Sequence, residues 1–252
     1  MIEPGRLHRA SDAEVAFRQR FTPAEAGLLY LSGGEFLLAP RSRSRVFAFP
    51  GEESLLFLWR GEAVAEVEGV EYALAPYDIL YVPSGAAFRL ANPGETEARI
   101  AQTSAPAGKR HPVFHSRFAE LSQREERIRR LPGKRVFLMF DVGEAADRLV
   151  AGYTFFEPHA RSWPPHNHTD QEEAYIFIRG TGAMEVYESP ERLSFVHSVG
   201  EGDIVTIPML NYHPVFSQES PLEFIWCIAG ARYWVGDKVK DFLAGTVSSV
   251  TT

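Results

Sequence analysis

The sequence predicts an all-β chain, a sandwich or barrel built twice over. Short runs of apolar, β-branched and aromatic residues recur along the 252 residues, punctuated by Gly, Pro, Asn and Asp. Examples are Leu55-Leu56-Phe57-Leu58-Trp59, Ala63 to Val67, Ile79-Leu80-Tyr81-Val82, Glu185-Val186-Tyr187 and Ile204 to Ile207. Runs of this length and spacing read as strands of a sandwich or barrel rather than as βαβ units. The second observation is a repeat. Leu55 to Trp59 ends in Arg60-Gly61 and precedes Asp78-Ile79-Leu80-Tyr81-Val82-Pro83, and Ala174 to Ile178 ends in Arg179-Gly180 and precedes Asp203-Ile204-Val205-Thr206-Ile207-Pro208. An aromatic-rich strand closed by Arg-Gly, then an Asp-led strand closed by Pro, occurs twice, which marks a duplication at the scale of a domain. The third observation is a scarcity of helix signals. They are confined to Ala13 to Arg20, the stretch after Thr22-Pro23, and Phe118 to Arg130, whose charge fits a solvated connector. The join falls in the basic, Pro-containing stretch from about 105 to 134, giving halves 1–115 and 116–252.

Composition narrows the class. A 45% hydrophobic and 23% charged chain of this length buries a substantial core and is that of an ordinary soluble protein. A formal net charge of −7 argues against a nucleic-acid partner. No apolar run approaches the roughly 20 residues of a membrane span, and the N-terminus lacks a signal-peptide pattern, so no membrane partner and a cytoplasmic location are expected. The single cysteine, Cys227, excludes an intramolecular disulfide and reads as a small buried apolar residue.

Function is concentrated in Pro165-His166-Asn167-His168-Thr169-Asp170-Gln171-Glu172-Glu173. Two histidines one residue apart share a face of an extended segment, because side chains alternate with period two. Glu173 opens the next strand, and Asn211-Tyr212-His213 offers a third imidazole. Imidazoles with a carboxylate make a site for zinc, manganese, iron, nickel or cobalt, one divalent ion per chain. Glu172 is the other carboxylate in reach, but strand phase favours Glu173. Aligned with this half, the first half places Ser54 at the glutamate, Phe47 and Phe49 near the two histidines and Phe88 at the third. Phenylalanine binds no metal but fills a barrel well, so the first half is expected to be a metal-free packing and dimerisation domain. His8, His111, His115, His159 and His197 lack a partner at ligand spacing and read as surface or hydrogen-bonded residues.

These residues resemble the cupin signature: His-x-His, four residues, Glu, six residues, Gly, then Gly, five residues, Pro, four residues, His. Here it runs through His166, His168, Glu173, Gly180, Gly202, Pro208 and His213, with Leu210 where the second motif often has glycine. The resemblance implies two tandem cupin domains, that is, jelly-roll β-barrels. A narrower resemblance covers nearly the whole chain in order. Phe21 to Gly27, Tyr81-Val82-Pro83-Ser84-Gly85 and Ser104-Ala105-Pro106-Ala107 look like the first half of 5-deoxy-glucuronate isomerases, the bicupins of inositol catabolism. Trp163 to His168, Asn211 to Val215 and Ala229 to Trp234 look like their second half. The 4-deoxy-5-ketouronate isomerases of pectin breakdown are related. The resemblance implies a metal-dependent aldose–ketose isomerase of an acidic sugar, with the metal on the second cupin.

Such a reaction needs a Lewis acid at the carbonyl and a group that carries a proton between neighbouring carbons. The candidates for that group are Glu185, Tyr175 and Tyr187 on strands near the motif. The sugar carboxylate calls for a cation, for which Arg161 and Arg232 are the candidates, while Asn167 and Gln171 either line the mouth or form turns. Two other classes share such a cage: a metal-dependent oxygenase or hydrolase, and a non-catalytic sugar-binding bicupin. The expected partner is a small-molecule sugar acid, and a homo-oligomer is compatible with a chain of this kind.

Overall fold

The computed structural model describes residues 5–8 and 17–233, and within them each half is a large sheet faced by a small one. In the first half the six-stranded sheet runs Phe114–Ser116, Ile79–Val82, Glu52–Arg60, Ala98–Pro106, Ser32–Leu38, Phe17–Phe21, and a four-stranded sheet carries Ala63–Val67 and Phe88–Asn92. In the second half the seven-stranded sheet runs Arg6–His8, Ile204–Ile207, Gln171–Arg179, Leu222–Gly230, Leu149–Phe156, Lys134–Phe140, Ile128–Leu131. A three-stranded sheet of Arg192–Gly200, Thr181–Ser189 and Val215–Ser217 faces it. This is the two-barrel cupin architecture.

The two large sheets lie back to back, which explains the unbroken apolar runs. Along Glu52–Arg60, Leu55, Phe57 and Trp59 enter the shared core between the halves, while Leu56 and Leu58 fill the first barrel. Along Gln171–Arg179, Ala174, Ile176 and Ile178 enter the shared core, while Tyr175 and Phe177 fill the second barrel. A strand covered on both faces has no polar phase to display. Cys227 is part of the shared core, and its burial pushes the thiol up to about 12.

The repeated turn residues have physical reasons. Gly61 and Gly180 sit at φ of +78° and +82°, and a Cβ on Gly180 would lie 1.9 Å from the Pro221 carbonyl oxygen. Asp78 accepts from the Ala75 N–H at 3.0 Å and Asp203 from the Gly200 N–H at 3.0 Å, closing equivalent turns.

A pair of buried carboxylates joins the halves. Glu53 accepts from the backbone N–H groups of Asp147, Arg148 and Leu149 at 2.9, 2.7 and 3.0 Å, and from the Tyr81 hydroxyl at 2.9 Å. Glu172 accepts from Leu29, Tyr30 and Leu31 at 2.7, 2.7 and 2.5 Å. Each carboxylate reaches from one half to the backbone just ahead of a strand of the other, Leu149–Phe156 or Ser32–Leu38.

Two helix expectations change. Phe17–Phe21 is a strand, not the end of a helix, because Phe17 packs on Phe36 at 4.7 Å and Phe21 is buried; the rest of that candidate, 13–16, lies outside the described residues. The Phe118 to Arg130 stretch is one helical turn, Phe118–Leu121, a 3₁₀ turn, Glu125–Arg127, and the strand Ile128–Leu131, which pairs with Lys134–Phe140. Pro132-Gly133, with Gly133 at φ +67°, makes that hairpin's turn. The helix after Thr22 is a single turn, Pro23–Ala26, with a Thr22/Glu25 capping box. A division at residue 115 does not describe the first strand, since Arg6–His8 pairs with Ile204–Ile207 of the second half and Gly5 donates to Asn211 Oδ1 at 3.2 Å. Phe114–Ser116, which spans that point, pairs with Ile79–Val82 of the first half.

The carboxylate pair yields a stability prediction. Glu53→Ala leaves three N–H groups and a phenol without their acceptor and is expected to cost on the order of 3 kcal/mol or more. Glu95→Ala, which removes an exposed pair with Arg41, is expected to change stability by less than about 0.5 kcal/mol. Urea unfolding of the two variants checks the contrast.

Candidate metal centre

The four residues that spacing brought forward meet at the inner face of the second barrel. One ligand atom from each of His166, His168, Glu173 and His213 lies within 4.8 Å of all the others, the one such cluster with metal-ligating composition among the described residues. The segment with His166 and His168 is tied to the loop before His213, because the Leu210 N–H donates to the His168 carbonyl at 2.7 Å and Asn167 Nδ2 donates to the Leu210 carbonyl at 3.2 Å. Leu210 takes φ +68°, the conformation for which the usual motif glycine is suited.

The donor set fits a cation. His213 Nδ1 donates to the Asn211 carbonyl at 2.9 Å, which leaves Nε2 as the lone-pair nitrogen. That Nε2 is buried without a hydrogen bond, 3.0 Å from Glu173 Oε2. His168 Nε2 lies 3.1 Å from the same oxygen. Two imidazoles converging on one buried carboxylate oxygen form the arrangement a divalent ion would complete. Ligands ~2.1 Å from a common ion lie at most ~4.2 Å apart, so the observed spread needs only slight contraction. Burial alone would raise the Glu173 carboxyl, but the neighbouring His168 and His213 imidazoles outweigh it and hold it at about 2.

The first half shows the reverse. Phe47 and Phe88 stack at 5.9 Å between ring centroids, Phe49 lies 5.9 Å from Phe88, and Ser54 pairs with Val82 as Glu173 pairs with Ile207. Ser54 thus holds the strand register that Glu173 holds in the second half, and Phe47, Phe49 and Phe88 pack on one another.

Above the cluster is a cavity of about 100 Å³. His166, His168 and Glu173 line it together with Tyr175, Phe224 and Trp226. Gly152 leaves room for the Trp226 indole, which would lie 2.2 Å from a Cβ there. Tyr175 is two residues from Glu173 and on the same face, its ring 5.6 Å from His213 and stacked at 4.5 Å on Phe224. Burial, then the Glu173 charge, raises the Tyr175 hydroxyl well above its ordinary value, so it keeps its proton at neutral pH.

Other expected site residues lie elsewhere. Met184 and Val186 take the inward phase of Thr181–Ser189, so Glu185 and Tyr187 stand on the opposite face, where the Tyr187 hydroxyl donates to Glu185 at 2.8 Å. Burial and that carboxylate push Tyr187 up to about 12. Arg161 stacks on Trp163 and Phe216, at 3.7 and 4.7 Å from the ring centroids. Arg232 donates to the carbonyls of Asp141, Glu144, Ala146 and Leu149, so its guanidinium stitches a loop. None of these four lines the cavity. Asn167 positions the Leu210 loop, and Gln171 donates to the Ala231 carbonyl at 2.5 Å. Glu172 faces the first half. The cavity's own cations are Arg129 and Lys134, with Asp141 and Tyr233 also lining it. Reading the charged join as a connector hid them, although Leu131-Pro132-Gly133-Lys134 is a hairpin signal between two alternating runs.

Comparisons with known proteins agree with this fold. The model of the KduI/IolB family matches residues 7–242. The chain superposes on an IolB-like protein from Salmonella typhimurium LT2 with a TM-score of 0.78 at 18% identity, covering 95% of this chain and 98% of that one. It superposes on oxalate decarboxylase from Lactobacillus farciminis with a TM-score of 0.72 at 13% identity, covering 97% and 90%. Oxalate decarboxylase of Bacillus subtilis, a protein with Mn(II) centres, gives a TM-score of 0.72 at 14% identity, covering 97% and 81%. At these identities the superpositions establish the fold alone. No curated protein sequence matches the chain.

The donor geometry predicts one metal per chain. Glu173→Gln and His213→Ala are expected to lose stoichiometric metal while keeping the wild-type circular dichroism spectrum. Phe88→His is expected to gain none, because Phe47, Phe49 and Ser54 remain. Elemental analysis after loading and desalting reads all three.

Proposed function

Because the chain belongs to the KduI/IolB family, the 4-deoxy-5-ketouronate and 5-deoxy-glucuronate isomerases, we propose that it is a metal-dependent aldose–ketose isomerase acting on 5-deoxy-glucuronate in inositol catabolism. The observation that carries this reading is the convergence of His166, His168, Glu173 and His213 beneath a cavity that also holds cationic side chains. A divalent cation held there would supply Lewis-acid polarisation of a carbonyl and its neighbouring hydroxyl.

The chain's own residues supply the rest. Isomerisation carries one proton from C2 to C1 and moves another from the C2 oxygen to the C1 oxygen. Tyr175 keeps its proton at neutral pH and serves as hydrogen-bond donor to the oxygens as charge develops on them. Asp141 is the cavity-lining carboxylate outside the ligand set, and we assign it the transfer between carbons. Apolar walls from Phe224, Trp226 and Val136 limit water around the reacting carbons.

Metal-loaded protein is expected to convert 5-deoxy-glucuronate to its ketose and to incorporate solvent deuterium at the carbon that receives the proton. Chelation abolishes turnover, and one equivalent of metal restores it. Tyr175→Phe and Asp141→Asn are expected to lower kcat by about a hundredfold, whereas Glu185→Gln stays within roughly twofold of wild type. Absence of turnover with both this uronate and 4-deoxy-5-ketouronate overturns the reading.

A further inference from the structure

The floor of the cavity is a grid of paired side chains, and an indole stands at its centre. Across the strands Gln171–Arg179, Leu222–Gly230 and Leu149–Phe156, Tyr175 is opposite Trp226 and Trp226 is opposite Gly152. The neighbouring row runs Glu173, Ile228, Val150. Same-face residues two apart on a strand are ~7 Å apart, so Trp226 is one row from the carboxylate of the ligand cluster. Val150, Thr154 and Phe156 line the cavity from the strand Leu149–Phe156, and between them Gly152 does not. A Cβ on Gly152 would lie 2.2 Å from Trp226 Cζ2 and 2.5 Å from its Cε2. The indole therefore covers that strand, and glycine is what lets it come so close.

This placement makes the middle of the floor apolar. Val136, Phe224 and Ile228 line the cavity with Trp226, whereas Glu173 and Tyr175 stand on the strand to one side. A hydroxyl laid against such a surface gives up its bonds to water and needs a replacement. A methylene laid there only gains, because apolar surface leaves water. Deoxy sugar acids carry such a carbon. In 5-deoxy-glucuronate the carbon next to the carboxylate has no hydroxyl, and it lies three bonds beyond C2, away from the reacting end.

We infer that Trp226, seated over Gly152, takes the hydroxyl-free carbon of the substrate and so selects the deoxy acid over its fully hydroxylated counterpart. This inference rests on the uronate reading above and adds the residue that senses the missing hydroxyl. Trp226 sets specificity by contact, and Gly152 is a positioning residue that acts through where the indole sits.

The test is calorimetric binding to the metal-loaded protein of two open-chain acids, made by reducing the aldehyde of 5-deoxy-glucuronate and of D-glucuronate. Neither can close a pyranose ring or isomerise, and they differ by one hydroxyl. Wild type is expected to bind the deoxy acid at least about tenfold more tightly, within the ~hundredfold that an apolar pocket achieves against an added hydroxyl. Trp226→Phe keeps part of that preference, Trp226→Gln removes it, and both variants retain one metal per chain. Gly152→Ala, which moves the indole, weakens the deoxy acid more than its counterpart. A loss of structure would weaken both acids and the metal together, so the ratio of affinities separates the two causes. Equal or absent binding of both acids by wild type overturns the assignment, as does a Trp226→Gln variant that keeps the preference. Turnover of 5-deoxy-glucuronate by a wild type that binds the two acids equally removes the role of Trp226 and leaves the isomerase reading standing. A preference lost in Trp226→Gln, without turnover by wild type, does the reverse.

Discussion

Two consecutive carboxylates on one strand leave it in opposite directions, and both destinations matter. Period-two alternation along Gln171–Arg179 sends Glu173 to the histidines and Glu172 to the backbone of Leu29, Tyr30 and Leu31. The candidate ligand cluster and the junction between halves are therefore set by one register. Slipping that strand by one residue would exchange the two carboxylates and put Ala174, Ile176 and Ile178 inside the barrel in place of Tyr175 and Phe177. Glu53, on the corresponding strand of the first half, repeats the outward contact toward Asp147, Arg148 and Leu149. Both halves thus make the cross-half contact, while the residue beside it is Ser54 in one half and Glu173 in the other.

The halves are for this reason a single body rather than two modules in series. Both large sheets contribute to one core, with Leu55, Phe57 and Tyr81 from the first half packed among Ile176, Ile225 and Cys227 from the second. The cavity, by contrast, belongs to the second half alone. Its floor belongs to the second barrel, and one wall is the hairpin built from the join.

The fold and the ligand set were legible because they rest on spacing, and the cavity was not because it rests on strand phase. The Arg-Gly and Asp-to-Pro repeats reflect close backbone approach at Gly180 and turn closure by Asp78 and Asp203, local demands that leave a direct trace in residue type. Glu185 lies outside because one residue of phase moves a side chain from barrel interior to exterior, and the run Glu185-Val186-Tyr187 does not itself reveal that Val186 takes the inward phase. Arg232 was misplaced because an arginine can satisfy itself on backbone carbonyls, which no spacing records. Arg129 and Lys134 were overlooked because a charged run reads as solvated until the sheet it joins is known.

The first described strand has a consequence for how the protein is made. Arg6–His8 pairs with Ile204–Ile207, and the Thr206 hydroxyl donates to the Arg6 carbonyl across 200 residues of sequence. On the ribosome this segment emerges long before its partner exists, so it must wait unpaired while the first barrel takes shape. Until it docks, the outer edge of Ile204–Ile207 is an open template for another chain. The last stage of assembly, rather than the first, is thus where a crowded translation site would most endanger this fold.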